Sequence, residues 1–288
     1  MTTSFARLAA WVLSISCVAI FTSAGVLGAQ MGGGQQQAGP VNAGTDSLQT
    51  QLHMLTDVQT QTNADPKQKA AYENFYKVNV EDPDKKIKLG NDFLQKYPKS
   101  PYAEAVQVGL FNAYYAKQDW KNFYATADNA LALAPDNVDV LTTVGWVIPH
   151  FYDPNDPDAD KQLDKAQAYE QHALLVIASM PKPDRLSDSQ FAAAKAQKSI
   201  QAHSALGLVY FRRADYDNSA KELQLATHDA AAADQTDLYV LGVDFNNMKR
   251  YSDALDAFNR CGQLIGGLQD RCKQSADETQ KLAAIQGK

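Results

Sequence analysis

The sequence predicts an all-α chain in which antiparallel helix hairpins stack into a solenoid. The chief observation is one pattern that occurs twice, 35 residues apart. The first copy reads Leu206-Gly207-x2-Tyr210, Asp215-Tyr216, Ser219-x3-Leu223 and Ala226; the second reads Leu241-Gly242-x2-Phe245, Arg250-Tyr251, Ala254-x3-Phe258 and Cys261. Residues three and four apart share a helix face, so each half of the pattern marks one amphipathic helix. A second observation is the cost accepted at Gly207 and Gly242. Glycine within a helix costs roughly 1 kcal/mol against alanine, which makes sense where a partner helix must approach the backbone. The third is that one such pair cannot bury its apolar face alone, so copies must stack.

The Leu-Gly-x2-Tyr/Phe set, followed by small-x3-large-x2-small, resembles the tetratricopeptide repeat, a helix pair of about 34 residues. An unrelated helical bundle is the alternative. The resemblance implies a right-handed superhelix with a C-terminal capping helix. It also implies a concave face, lined by first helices, on which a peptide or partner protein binds. By that phase the candidate contacts are Asn112, Tyr115, Leu208, Phe211, Arg212, Tyr239, Asn246 and Asn247, with Val108, Ser204 and Val243 beside them. Aromatic, Arg and Asn side chains are sensible peptide anchors; the competing role for each is packing on a neighbouring helix. The lysine with which chaperone-binding relatives clamp a peptide carboxylate is missing, since Val108 and Ser204 stand where it would be wanted.

From the start of the chain, residues 1–29 read as a secretory signal. Arg7 precedes an apolar run from Leu8 to Phe21, and Thr22-Ser23-Ala24 and Leu27-Gly28-Ala29 offer cleavage sites. The alternative is an uncleaved inner-membrane anchor over residues 8–27, long enough to span a bilayer. Ser14, Ser16, Thr22, Ser23 and Gly25 dilute the run and favour cleavage. Cys17 lies inside the run without the context of a lipidation site. Residues 30–65, with Gly32-Gly33-Gly34-Gln35-Gln36-Gln37, hold too few large apolar groups to offset ordering and read as a flexible tether. Leu48 to Val58 could form a short, weak helix within it.

The helical-repeat domain is expected over 66–288. Helical spacing runs through Lys67 to Val78 and Asp84 to Tyr97, and Ser100-Pro101 reads as the start of another helix. The string from Phe93 to Ala105 is similar to segments of bacterial envelope tetratricopeptide proteins, among them the outer-membrane assembly lipoproteins and the Tol-Pal-associated coordinator. That short likeness implies an exported protein of the periplasm or cell envelope. A repeat follows with Leu110, Tyr114, Trp120, Phe123, Ala127 and Ala130, closed by Pro135-Asp136-Asn137. Val144-Gly145-x2-Ile148 opens the next, which an acidic insertion at 150–160 interrupts before Leu163, Ala166, Tyr169 and Ala173 resume the pattern. Ser187-x2-Gln190 reads as a capping box for a long helix to Arg213. Asp270 to Ile285 is the expected capping helix.

With net charge −6, pI near 5.4 and no basic stripe, nucleic-acid binding is disfavoured. No nucleophile motif or phosphate loop is present, and His53, His150, His172, His203 and His228 are scattered, with His203 at a packing position. The acids Asp153, Asp156, Asp158 and Asp160 lack the glycine turn and bidentate glutamate of an EF-hand and read as a solvated loop. No enzyme, cofactor or metal site is therefore expected. In the tetratricopeptide architecture Cys261 and Cys272 face each other. They are a candidate disulfide in an oxidising compartment, with two free buried thiols as the alternative. The function expected is a protein-binding scaffold; the runner-up is a membrane-anchored component that builds a larger complex by stacking.

Overall fold

The structure, a computed structural model, describes residues 65–79, 81–184, 186–229 and 233–286. The predicted signal or anchor, the tether and the weak helix at Leu48–Val58 lie outside these residues. The described residues form eleven helices and no strand: α1 Pro66–Tyr76, α2 Pro83–Lys96, α3 Ala103–Ala116, α4 Trp120–Leu133, α5 Val138–His150, α6 Ala159–Ser179, α7 Asp188–Arg212, α8 Tyr216–Ala226, α9 Gln235–Asn247, α10 Tyr251–Gln263 and α11 Gln269–Gln286. The fold is all-α. None of these helices is long and apolar enough to cross a membrane.

Most helix starts are written in the sequence as side-chain caps. Asp65, Asp82, Asp119, Asn137, Asp215 and Asp234 each accept a backbone N–H of the first turn, and Ser187 with Gln190 forms a full capping box on α7. One predicted start shifts. Ser100 Oγ accepts the Tyr102 N–H at 3.2 Å, but regular helix begins only at Ala103, because residues 100–102 make a tighter turn first. Asn137 likewise belongs to the start of α5 rather than to the end of α4. At the other end of α1, Lys86 Nζ reaches over from α2 and donates to the carbonyls of Phe75 (2.9 Å), Tyr76 and Val78 (both 3.3 Å). Burial there pulls its pKa down to about 8.

Three turns are copies of one another. Gln118, Ala214 and Lys249 have φ of 55°, 56° and 58°. Each donates its N–H to the carbonyl three residues back: Tyr115 (2.9 Å), Phe211 (2.9 Å) and Asn246 (3.0 Å). The next residue donates to the repeat aromatic five back: Asp119 to Tyr114 (3.0 Å), Asp215 to Tyr210 (3.0 Å) and Arg250 to Phe245 (2.8 Å). This pair of bonds is the Schellman ending of a helix. Asp119 and Asp215 go on to cap the following helix, so one residue ends α3 or α7 and begins α4 or α8.

Packing follows chain order, with α3 on α4, α5 on α6, α7 on α8, α9 on α10, and α10 on α11; α5 also packs on α7, and α8 on α9. Within the hairpins the glycines mark close approaches. A Cβ on Gly207 would lie 2.5 Å from the Leu223 side chain, and one on Gly242 2.5 Å from Phe258. Gly145 of α5 sits at the same register, and there the residue opposite is Glu170 of α6. The flanking positions agree: Ala166 and Ala173, like Ser219 and Ala226, are buried on either side.

Candidate partner-binding surface

The first helices are joined to one another by polar bridges. Between α5 and α7, Lys198 Nζ lies 2.7 Å from Asp139, Gln201 donates to the Thr142 carbonyl at 3.4 Å, and Arg212 Nε donates to the Pro149 carbonyl at 3.0 Å. Between α7 and α9, Ser204 Oγ lies 2.8 Å from Asp237. Between α9 and α11, Asn246 donates to Thr279 Oγ1 at 2.7 Å and Arg271 Nε donates to the Tyr239 hydroxyl at 3.1 Å.

These bridges sort the predicted contact residues. Leu208 and Tyr239 are buried, and Tyr239 is held between Arg271 and the Phe258 ring, so neither offers its side chain to a partner. Arg212 is bonded to Pro149 and lies over the Tyr152 ring, 5.6 Å from its centroid. Asn246 spends its amide on Thr279. Asn112, Tyr115 and Phe211 keep some of their surface, and Asn247 is exposed with its amide on the Val243 carbonyl at 2.9 Å. Tyr115 packs against Trp120 and Phe123, and this burial raises its hydroxyl pKa.

One residue of this face escapes the predicted set. Trp146 follows Gly145 as Leu208 follows Gly207 and Val243 follows Gly242, and it remains partly exposed. The signal was in the register of Val144-Gly145-x2-Ile148. Its ring stacks on His150 with centroids 3.7 Å apart. His150 Nδ1 is 2.7 Å from the Trp146 carbonyl, and burial pushes the imidazole pKa down to about 3, so it is neutral and donates that bond.

Around the acidic insertion the carboxylates hold the loop. Asp153 accepts the Asn155 N–H at 2.9 Å, Asp156 accepts the Asp158 N–H at 2.8 Å, and Asp158 pairs with Lys161 at 2.7 Å. His203 faces Glu222 and His172 faces Asp136, each at 2.7 Å. Among the described residues no three His, Cys, Asp or Glu side chains converge to hold a metal ion.

Three carboxyls are buried instead. Glu170 has neither oxygen bonded, and burial raises its pKa well above the usual range, with Lys198 opposing. Burial also lifts Asp237 and Asp244 to about 8; Asp234 and Asp215 add repulsion, and Ser204 and Ser219 oppose it. Ser219 Oγ lies 2.6 Å from Asp244 Oδ2 and 2.9 Å from the Gly207 carbonyl. It has one hydrogen, so both contacts are filled when the protonated Asp244 donates to it and it donates to Gly207. Cys261 and Cys272, both fully buried, form a disulfide with Cα atoms 5.7 Å apart, tying α10 to α11.

No family model matches the chain, and no curated protein matches it.

Proposed function

We propose that the chain is a non-enzymatic scaffold whose hairpins form a tetratricopeptide-like solenoid, exported to a bacterial periplasm or cell envelope, and that it binds an extended peptide or partner protein on the face made by its first helices. The observation that carries this reading is the bridging of consecutive first helices, α5 to α7, α7 to α9 and α9 to α11, at side chains of one face. Such bridges hold several helices in register, and preorganisation lowers the cost of binding along them. Asn112, Tyr115, Trp146, Phe211 and Asn247 supply the polar and aromatic contacts that remain partly exposed on those helices. Export is supported by the N-terminal pattern, and an oxidising compartment by the Cys261–Cys272 pair.

The test is affinity purification from native envelopes with wild type and with a Phe211→Ala/Asn112→Ala variant of unchanged helicity and melting temperature. One enriched partner that the variant loses supports the reading. A partner that persists in the variant moves binding off this face. Enrichment of nothing but the chain itself makes self-assembly the better account.

A further inference from the structure

Helices α9, α10 and α11 are held together as one unit. The Cys261–Cys272 bond joins α10 to α11. Gln235, at the start of α9, donates to the Leu264 carbonyl and accepts the Leu268 N–H, each at 3.0 Å, and so grips the segment between α10 and α11. Tyr239–Arg271 and Asn246–Thr279 add to this. Toward α7 and α8 the unit reaches with Arg260, which donates to the Thr227 carbonyl at 2.6 Å, and with two carboxyl–hydroxyl pairs, Asp237 with Ser204 and Asp244 with Ser219.

Both carboxyls are buried in this joint, and the geometry places a proton on Asp244. Ser219 Oγ has one hydrogen, and the Gly207 carbonyl at 2.9 Å accepts it; Asp244 Oδ2, 2.6 Å from the same oxygen, then supplies its own. Asp244 Oδ1 is buried without a partner, which is tolerable for a neutral acid and costly for a carboxylate. The charges acting on the pair are repulsive, Asp234 on Asp237 and Asp215 on Asp244, and with burial they lift both to about 8. Cations of the packed helices are bonded elsewhere. His203 of α7 faces Glu222, Lys221 of α8 bonds Asn218, Arg250 at α10 bonds Asp253, and Arg271 of α11 bonds the Tyr239 hydroxyl.

We infer that the joint between the α7–α8 hairpin and the α9–α11 unit is a proton-operated latch: it is closed while Asp237 and Asp244 hydrogen-bond to serine as neutral acids, and their ionisation releases α9–α11 while the hairpins before them stay folded. The end unit of a stack of hairpins contacts only its neighbour, so it can unfold without the rest. Once released, both carboxyls meet water and give up their protons at their ordinary value of 3.8. The closed state therefore holds more protons than the open one between about pH 4 and about pH 8, and a rise in pH favours opening by up to about tenfold per pH unit for each residue. Opening uncovers the part of α7 and α8 that α9 covers. This goes beyond the scaffold reading and does not rest on it.

Amide hydrogen exchange of the full chain, followed helix by helix from pH 5 to pH 8 and corrected for intrinsic exchange rates, tests this. Protection of α9, α10 and α11 is expected to fall together by about tenfold or more per pH unit, while that of α3 to α6 stays level. Asp237→Asn/Asp244→Asn keeps a neutral donor at each serine and is expected to hold α9–α11 protection level over the same range. Protection that falls equally in every helix overturns the inference, because the chain then unfolds as a whole. Protection of α9–α11 that does not fall in the wild type overturns it without recourse to the variant. A fall confined to α9–α11 that persists in the variant also overturns it, by placing the proton elsewhere.

Discussion

Glu170 occupies the space that Gly145 leaves open. A Cβ on Gly145 would overlap the Glu170 carboxyl, just as Cβ atoms on Gly207 and Gly242 would strike Leu223 and Phe258. A carboxyl therefore stands in the core of this hairpin where the sister hairpins carry hydrocarbon, and neither of its oxygens is bonded. Replacing an unsatisfied buried polar group by an apolar one of similar shape is stabilising. Glu170→Leu is expected to raise stability by about 1–3 kcal/mol, and Gly145→Ala to lower it by about 1–3 kcal/mol through overpacking. Denaturant melts of both measure this; a Glu170→Leu protein less stable than wild type would refute it.

Asp237 and Asp244 make stability depend on pH in a direction opposite to that of most carboxylates. Each keeps its proton in the folded chain up to about pH 8 but releases it near its ordinary value of 3.8 when unfolded. Between those values the native state holds more protons than the unfolded one, so each residue's contribution to stability falls as pH rises from about 4 to about 8 and is level above that. Asp237→Asn and Asp244→Asn remove the titrating groups. Melting temperatures taken from pH 5 to pH 8 should show a smaller fall for each variant than for wild type, and curves that stay parallel to wild type would contradict the assignment.

Ala214 adopts φ of 56° without being glycine. The left-handed region costs an L-residue about 1–2 kcal/mol, and glycine gives back roughly 0.4–1 kcal/mol through the unfolded chain. Ala214→Gly is expected to stabilise by about 0.5–1 kcal/mol, seen as a rise of roughly 1–3 °C in melting temperature. Ala214→Val, β-branched and ill-suited to this region, should fall below wild type in the same assay.

The Cys261–Cys272 bond closes a ring of sequence separation 11 between α10 and α11. A ring of this size stabilises by about 2–3 kcal/mol in the chain-entropy account. Cys261→Ser/Cys272→Ser should lower the melting temperature and speed hydrogen exchange in α11 before the rest of the chain. Identical exchange in α11 with and without the bond would show that Asn246–Thr279 and Tyr239–Arg271 hold that helix on their own.

Much of the fold is legible in the sequence because its signals are local. Ser187 and Gln190 are three residues apart and meet in a capping box, and the 35-residue offset that aligns Gly207 with Gly242 also aligns Leu223 with Phe258. The candidate surface is less legible because it depends on what crosses from helix to helix. Nothing local marks Tyr239 as the acceptor of Arg271, 32 residues later, or Arg212 as the donor to Pro149, 63 residues earlier. Glu170 is hidden for a different reason. A glutamate within a helix reads as solvated, and only the register of Gly145, displaced by the insertion, shows that it faces inward.

In two hairpins the turn has no residue to spare. Asp119 closes α3 through its N–H and opens α4 through its carboxylate, and Asp215 does the same between α7 and α8. Extra residues inserted at 117–119 or 213–215 would therefore separate jobs that a single side chain and its own amide perform together, and the angle between the helices would be lost with them. Between α5 and α6 the junction is already opened by residues 151–158, whose bends are held by short-range bonds within the loop. Insertion at the α3–α4 and α7–α8 turns is thus disfavoured, whereas the α5–α6 junction, which carries the acidic loop, already holds extra residues.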